Sequence, residues 1–258
     1  MQTNQQTYTM KTKTLGVISG MGTNAGLLFV NKLTERINAP KDQDFPEFIM
    51  HNNSKIPDRT LAIVYGEESP ENEIKRSIKM LQACEADVIV STCVTSYFFI
   101  NQLDASLNEN ILNPIQLVLE AIKKNYAGAK KIGLLATTGT IKSNLFHQQF
   151  KNAPFELIVL EEFEQEEKFM KSVYGKGGFK SSNISEKSYA LFEDAIDALK
   201  EKDVDLIIGG CTEAQIGYDY ITTDIPYIDI IDVLIDEVIS KMNLTKVNNN
   251  LTYEASYS

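Results

Sequence analysis

Apolar residues along this chain follow two alternating rhythms. LGVIS, FIMHNN, ADVIVST, KIGLLAT, ELIVL, VDLIIGG and IPYID are short, nearly unbroken runs bounded by glycine or polar residues, as strands buried on both faces require. Between them LLFVNKLTERIN, SPENEIKRSIKMLQACEA, PIQLVLEAIKKNYA, NLFHQQF, LEEFEQEEKFMKSVYG, SEKSYALFEDAIDALKEKD and IDVLIDEVISKM carry apolar residues at helical spacing. Thr23 or Asn24, then Ser69 or Glu71, then Ser185 stand where helix starts are expected. Strands alternating with helices and no hairpin signal predict an α/β architecture with parallel sheets.

The pattern is written twice. Ala86 to Thr95 (ADVIVSTCVT) aligns without a gap on Val204 to Glu213 (VDLIIGGCTE), 118 residues later, and LGVISGMGT from Leu15 aligns on IGLLATTGT from Ile132, 117 residues later. In each copy an Asp opens an apolar run that ends in a cysteine, Cys93 and then Cys211. The duplication predicts two similar Rossmann-like domains related by a pseudo-twofold axis, with a site in the cleft between them. The expected division is 13–113 plus the C-terminal helix 229–244 for the first and 114–228 for the second. Residues 1–12 and 245–258 are expected to be disordered tails.

Composition narrows the function classes. At 258 residues and 43% apolar the chain can bury a large core, and no run of about 18 apolar residues predicts a membrane span. A net charge of -10 argues against nucleic-acid partners, and the polar start MQTNQQTYTMKTKT lacks the apolar core of a secretory signal, so a cytoplasmic protein is expected. Three cysteines without paired spacing do not make a disulfide framework. Two distant histidines, His51 and His147, do not make a zinc site, and His147 reads as a packed or surface residue.

GMGTNA, between a strand and a helix, has the spacing of a dinucleotide fingerprint and the free backbone N–H groups of an anion site. The next strand, however, ends in His51 and Asn52 rather than the acid a ribose needs. The loop SKIPDRT brings Lys55 and Arg59 to the strand ends where parallel sheets bind ligands. Cys84 falls on a helix beside Met80 and Leu81 and is expected to be a small core residue. Cys93 and Cys211 each lie at a strand end before a predicted helix N-terminus, which favours a thiolate. A Cys93–His51 dyad would leave Cys211 unexplained, and redox pairs usually sit close in sequence. Two-base proton transfer uses both thiols, one on each face of a carbon.

The stretches LGVISGMG, SKIPDRT, STCVTSY, KIGLLATTGT, EEFEQEEKFMKSVYG and IIGGCTE, in that order, make the chain from about residue 14 to 240 resemble the aspartate racemase family of the aspartate/glutamate racemase superfamily. The resemblance implies a homodimeric racemase of a small acidic amino acid, aspartate or possibly glutamate, that uses no cofactor, neither metal nor pyridoxal. Cys93 and Cys211 match the two acid/base cysteines. Arg59 matches the arginine that grips the side-chain carboxylate, and Lys180, in the glycine-rich loop GKGGFKSSN, is similarly placed to a lysine with that role. Val94, Thr95 and Ser96 match the loop around the α-carboxylate, with Thr212 as a further hydroxyl; Met21 and Gly22 match the glycine loop lining the pocket. Glu213 after Cys-Thr, where glutamate racemases carry His, favours the aspartate branch and is a candidate to tune Cys211. Val94 stands where the family usually has Asn, and Lys55 adds a charge at a commonly neutral position. A related isomerase or decarboxylase, or a binding protein without turnover, are the alternatives.

Overall fold

The computed structural model describes residues 13–247. Of the expected tails 1–12 and 245–258, residues 1–12 and 248–258 lie outside the described residues. Strand β1 (Thr14–Ser19) is buried along its whole length, as its unbroken apolar run requires. It lies between β2 (Glu47–Asn52) and β3 (Val88–Ser91), with every pairing parallel. The second sheet holds β4 (Lys131–Leu135), β5 (Glu156–Ile158), β6 (Leu206–Gly209) and β7 (Tyr227–Asp229) in the order β5-β4-β6-β7, again parallel. A parallel bridge from Ile89 to Ile111 supplies the first sheet's counterpart of β7. The duplication in the sequence is therefore a duplication of strand order.

The repeated aspartate has a repeated task. Asp87 accepts the N–H of Thr14 at 2.8 Å while its own N–H donates to the Thr14 carbonyl. Asp205 does the same to Lys131, at 2.9 Å through its carboxylate. At the other end, the Thr92 N–H donates to Ile18 and the Gly210 N–H to Leu135. Each clamp sets the register of a strand against its central neighbour, so both cysteines leave their sheets at the same level.

Helix α1 (Thr23–Glu35) is capped by Gly22, one residue before Thr23 and two before Asn24, the predicted caps; Thr23 is the first helical residue, and the Asn24 amide donates to the Ser181 carbonyl at 3.0 Å. Helix α2 (Arg59–Tyr65) is capped by Asp58, which accepts the Leu61 N–H at 2.9 Å. Helix α3 (Glu71–Ala83) begins just after Ser69, whose hydroxyl accepts the Glu71 N–H. Cys84 is not a core residue: it caps the end of α3 and is exposed, because the chain turns there through Glu85 at φ 58°. Helix α4 (Pro114–Asn125) has Pro at its first position and the Asn113 side chain as cap. The others used below are α5 (Thr138–Lys142), α6 (Glu186–Lys200), α7 (Thr212–Tyr218) and α8 (Ile230–Lys241). Ser185 occupies the α6 cap position, but its hydroxyl pairs with Ser188. Residues 245–247, expected to belong to a tail, instead pair with the end of α1 through an Ile37–Lys246 bridge.

One buried cluster runs through both sheets, from Leu15 and Ile89 to Leu134 and Ile208, with α4 and α8 contributing Val118 and Leu234. Leu135 and Ile207, on the opposite face of the second sheet, join Phe169, Phe192 and Cys211 in another. No helix among the described residues is long and apolar enough to cross a membrane.

Gly20 turns the chain out of β1 at φ +92°, and a Cβ there would lie 2.2 Å from the Asn53 carbonyl carbon. Gly20→Ala is therefore expected to lower stability by at least about 2 kcal/mol, combining left-handed strain with a backbone collision. Urea denaturation of the two proteins measures the difference.

Candidate active site

Cys93 stands in extended conformation before the turn Val94–Ser96, and Cys211 does the same before α7. Each carbonyl accepts the N–H three residues on, Ser96 for Cys93 and Ala214 for Cys211, both at 3.1 Å. The turns are tied to each other because the Thr212 hydroxyl donates to the carbonyl of Thr92, the residue before Cys93. This bond joins the two halves at the cysteines. Cys93 is partly exposed and Cys211 buried. Burial, then the Glu213 carboxylate, push the Cys211 thiol well above its ordinary value, while the Ala214 N–H and Lys180 act in the opposite sense.

Two cations face this junction. Arg59 is only 5% exposed, because the Asp58 cap places it on the first, inward-facing turn of α2. Its guanidinium donates to the Met21 carbonyl at 2.7 Å and the Pro57 carbonyl at 3.0 Å, while its buried Nε has no partner. Burial opposes the charge, yet Cys93, Tyr174 and Asp58 around it outweigh burial and hold its pKa above the usual value. Lys180 donates to the same Met21 carbonyl at 2.8 Å and to the Glu213 carboxylate. Its pKa too is raised: burial opposes it, and Glu213, Tyr174 and Cys93 prevail. Lys180 is thus a paired cation rather than a free one. Gly22 leaves room for the pair, since a Cβ there would lie 2.4 Å from Glu213 Oε1.

The hydroxyls expected around a ligand are turned to other partners. Thr95 shares a buried cluster with Thr137 at 2.9 Å and Thr140 at 2.8 Å, locking the Cys93 turn to α5. The Ser96 hydroxyl donates to the Cys93 carbonyl at 2.6 Å and pairs with Ser91 at 2.8 Å. Thr212 is spent on Thr92, and Val94 packs in the apolar core. These side chains shape the cysteine turns and leave the backbone N–H groups that precede Ser96 and Ala214 in each turn as donors. His51 neighbours Arg76 and Glu73 and its buried Nδ1 has no partner, so the hydrogen bond of a Cys93–His51 dyad is not made. Lys55 and His147 are exposed.

The model of the Asp/Glu/Hydantoin racemase family matches residues 18–238. The chain belongs to that family. It is accordingly an isomerase of the racemase type, with the parallel two-sheet fold of its relatives. The aspartate racemase of Picrophilus torridus is 27% identical, with a TM-score of 0.76 over 91% of this chain and 96% of that one. Broad specificity amino-acid racemase RacX of Bacillus subtilis is 24% identical over 219 residues, 83% of this chain and 92% of RacX. Glutamate racemase from Francisella tularensis, in complex with D-glutamate, has the same fold at a TM-score of 0.60 and 16% identity, over 93% of this chain and 86% of that one.

In this racemase a cavity of about 410 Å³ opens between α2 and the segment 166–175, lined by Asp58, Thr60, Tyr65, Thr138, Glu166 and Tyr174 among others. Neither cysteine lines it. Tyr174 is common to both places, its ring centroid 5.2 Å from Lys180 Nζ. The one sequence signal for Tyr174 is its position just before GKGG, the loop that carries Lys180.

Proposed function

We propose that this protein interconverts the L- and D-forms of an acidic amino acid, aspartate first and glutamate second, by proton transfer between Cys93 and Cys211 without a cofactor. The observation that carries the reading is a buried arginine, with an unpartnered Nε, facing one of two thiols presented from equivalent strand ends. A buried donor left unpaired costs about 1–3 kcal/mol, and a distal carboxylate would satisfy it with a charge-assisted bond.

In this reading Arg59 holds the side-chain carboxylate while Lys180 shares its charge between that carboxylate and Glu213. The N–H groups of the two cysteine turns receive the α-carboxylate and stabilise the negative charge that grows on it as the α-carbon loses its proton. Cys211, whose environment favours the thiol, starts with its proton; Cys93 takes the α-proton from one face and Cys211 delivers its own to the other. The opposite enantiomer reverses both roles. Cytoplasmic location and a homodimer belong to the same proposal.

Chiral chromatography of L-aspartate, L-glutamate and L-alanine incubated with purified protein, reducing agent and chelator tests it. The D-form of one acidic substrate is expected to appear at least about 30-fold faster than D-alanine, the least that a buried charge-paired contact contributes. Folded, reduced protein that yields no D-aspartate and no D-glutamate refutes the proposal. The Lys180–Glu213 pair, which leaves Arg59 as the one cation without a carboxylate partner at this junction, favours a second reading of broad specificity. Comparable rates on L-alanine would select that reading.

A further inference from the structure

Racemisation at a tetrahedral carbon leaves three substituents in place while the hydrogen changes sides. In the planar state midway, the α-carboxylate, the side chain and the α-ammonium point outward, across the line that joins the two thiols. Three places around that line must therefore receive the same three groups from both enantiomers. In the mechanism above, Arg59 with Lys180 takes the distal carboxylate and the backbone N–H groups of the cysteine turns take the α-carboxylate. The ammonium is left without a receptor, and a cation withdrawn from water needs a paired acceptor.

Most acceptors at the junction are already engaged. The Met21 carbonyl accepts from Arg59 at 2.7 Å and from Lys180 at 2.8 Å. Asp58 Oδ1 accepts the Leu61 N–H at 2.9 Å, capping α2. The Thr95, Ser96 and Thr212 hydroxyls are held by protein partners. Glu213 differs. It is the second residue of α7, two after Cys211, and only 6% exposed. Its Oε1 accepts from Lys180, and among the described residues its Oε2 has no hydrogen-bond partner. On the facing glycine loop, a Cβ at Gly22 would lie 2.4 Å from Glu213 Oε1 and 3.4 Å from Lys180 Nζ, so the pair occupies the space that a side chain there would take. Glu213 acts on Cys211 more strongly than any other charge, and Lys180 lies in the field of Cys93 and Arg59. The pair therefore faces the same space as both thiols.

Arg59, Lys180 and Glu213 bring two positive charges and one negative to one junction. An acidic amino acid carries the complement, two negative charges and one positive. We propose that Glu213 Oε2 receives the α-ammonium of the substrate while Oε1 keeps Lys180 in place. The inference rests on the two-cysteine reading above and adds its third point of attachment. Glu213 then selects for the amino group whatever the side chain. A dicarboxylate of the same shape without that group leaves Oε2 facing a carbon-bound hydrogen, which discriminates against it.

Glu213→Gln keeps the length of the side chain and removes its charge. The test is titration calorimetry of wild type and variant with two ligands: racemic aspartate, on which turnover leaves no net change, and succinate, the same dicarboxylate without the ammonium. The quantity read is the ratio of the aspartate Kd to the succinate Kd, in which effects common to both ligands, such as the release of Lys180, cancel. The variant is expected to raise that ratio at least about tenfold, the low end of what a hydrogen bond to a charged group contributes. Lys180→Met should lower the ratio, because both ligands lose a cation and only aspartate can use the freed Oε1.

An unchanged ratio in Glu213→Gln overturns the proposal, whatever happens to turnover. Equal weakening of both ligands marks a Glu213 that only holds Lys180, and slower turnover with both affinities intact marks one that only tunes Cys211. If Glu213→Gln does not fold, Lys180→Met decides alone, and an aspartate loss as large as the succinate loss overturns the proposal. Wild type that binds neither ligand and racemises neither acidic amino acid sinks the two-cysteine reading and this inference with it. Active wild type with an unmoved ratio in the variants sinks the inference only.

Discussion

Cys93→Ala and Cys211→Ala should each cut racemisation of an acidic substrate by about 10²–10⁴-fold in both directions, the range that a positioned acid or base supplies. The sharper expectation concerns what survives. With Cys211 removed, Cys93 can still take a proton from the enantiomer whose α-hydrogen faces it and return it to the same face. That variant should wash solvent deuterium into one enantiomer without inverting it, and Cys93→Ala should do so with the other. Losses from a proposed acid/base pair should not add, so the double variant should racemise no more slowly than the slower single one. Proton NMR of each enantiomer in D2O, with each variant, reads all of this. The fold should tolerate both changes: Cys93 is partly exposed, and Cys211 loses only its sulfur from a cluster held by Phe169, Phe192 and Leu199.

Arg59→Ala should lower kcat/KM for aspartate by about 30-fold or more, since truncating a buried charge partner of a bound carboxylate costs about 2–5 kcal/mol. The loss should be much smaller for L-alanine, which has no distal carboxylate. Arg59 also supports the Met21 carbonyl at 2.7 Å, so the variant should lose some stability. Charged hydrogen bonds contribute about 1.5–3 kcal/mol each, and Lys180, on the same carbonyl, limits the damage. Arg59→Lys should rescue stability more than catalysis, because an ammonium on a flexible stem cannot reproduce the fork that reaches two carbonyls and a ligand at once. Equal losses on aspartate and alanine would remove Arg59 from substrate recognition and leave it a structural role.

Much of the frame was legible because it is repeated. Asp87 and Asp205 recur before the two cysteine strands since each clamps the central strand of its own sheet. A backbone device of that kind leaves the same residue at the same offset. Cys93 and Cys211 were legible for the same reason. The directions of short polar side chains were not. Thr95, Ser96 and Thr212 sit on turns where a hydroxyl can reach either a ligand or the backbone, and in the fold they reach Thr137, the Cys93 carbonyl and the Thr92 carbonyl.

Partnerships between distant segments were equally hidden. The pairing of Lys180 was not legible because Glu213, its partner, lies 33 residues on and meets it only when α7 docks beside the glycine loop. Cys84 was misplaced by its apolar neighbours: the periodicity of α3 ran one residue past the point where the chain turns outward at Glu85.

Whether two thiols on opposite faces exchange the α-proton is read most directly from the isotopic content of both enantiomers early in the reaction of wild-type protein with the preferred L-amino acid in D2O. A D-product carrying deuterium at the α-carbon is expected while the remaining L-substrate keeps its protium, because the proton removed by one thiol is not the one delivered by the other. D-product that retains the substrate's own proton would mean a single base serving both faces, and would contradict the account.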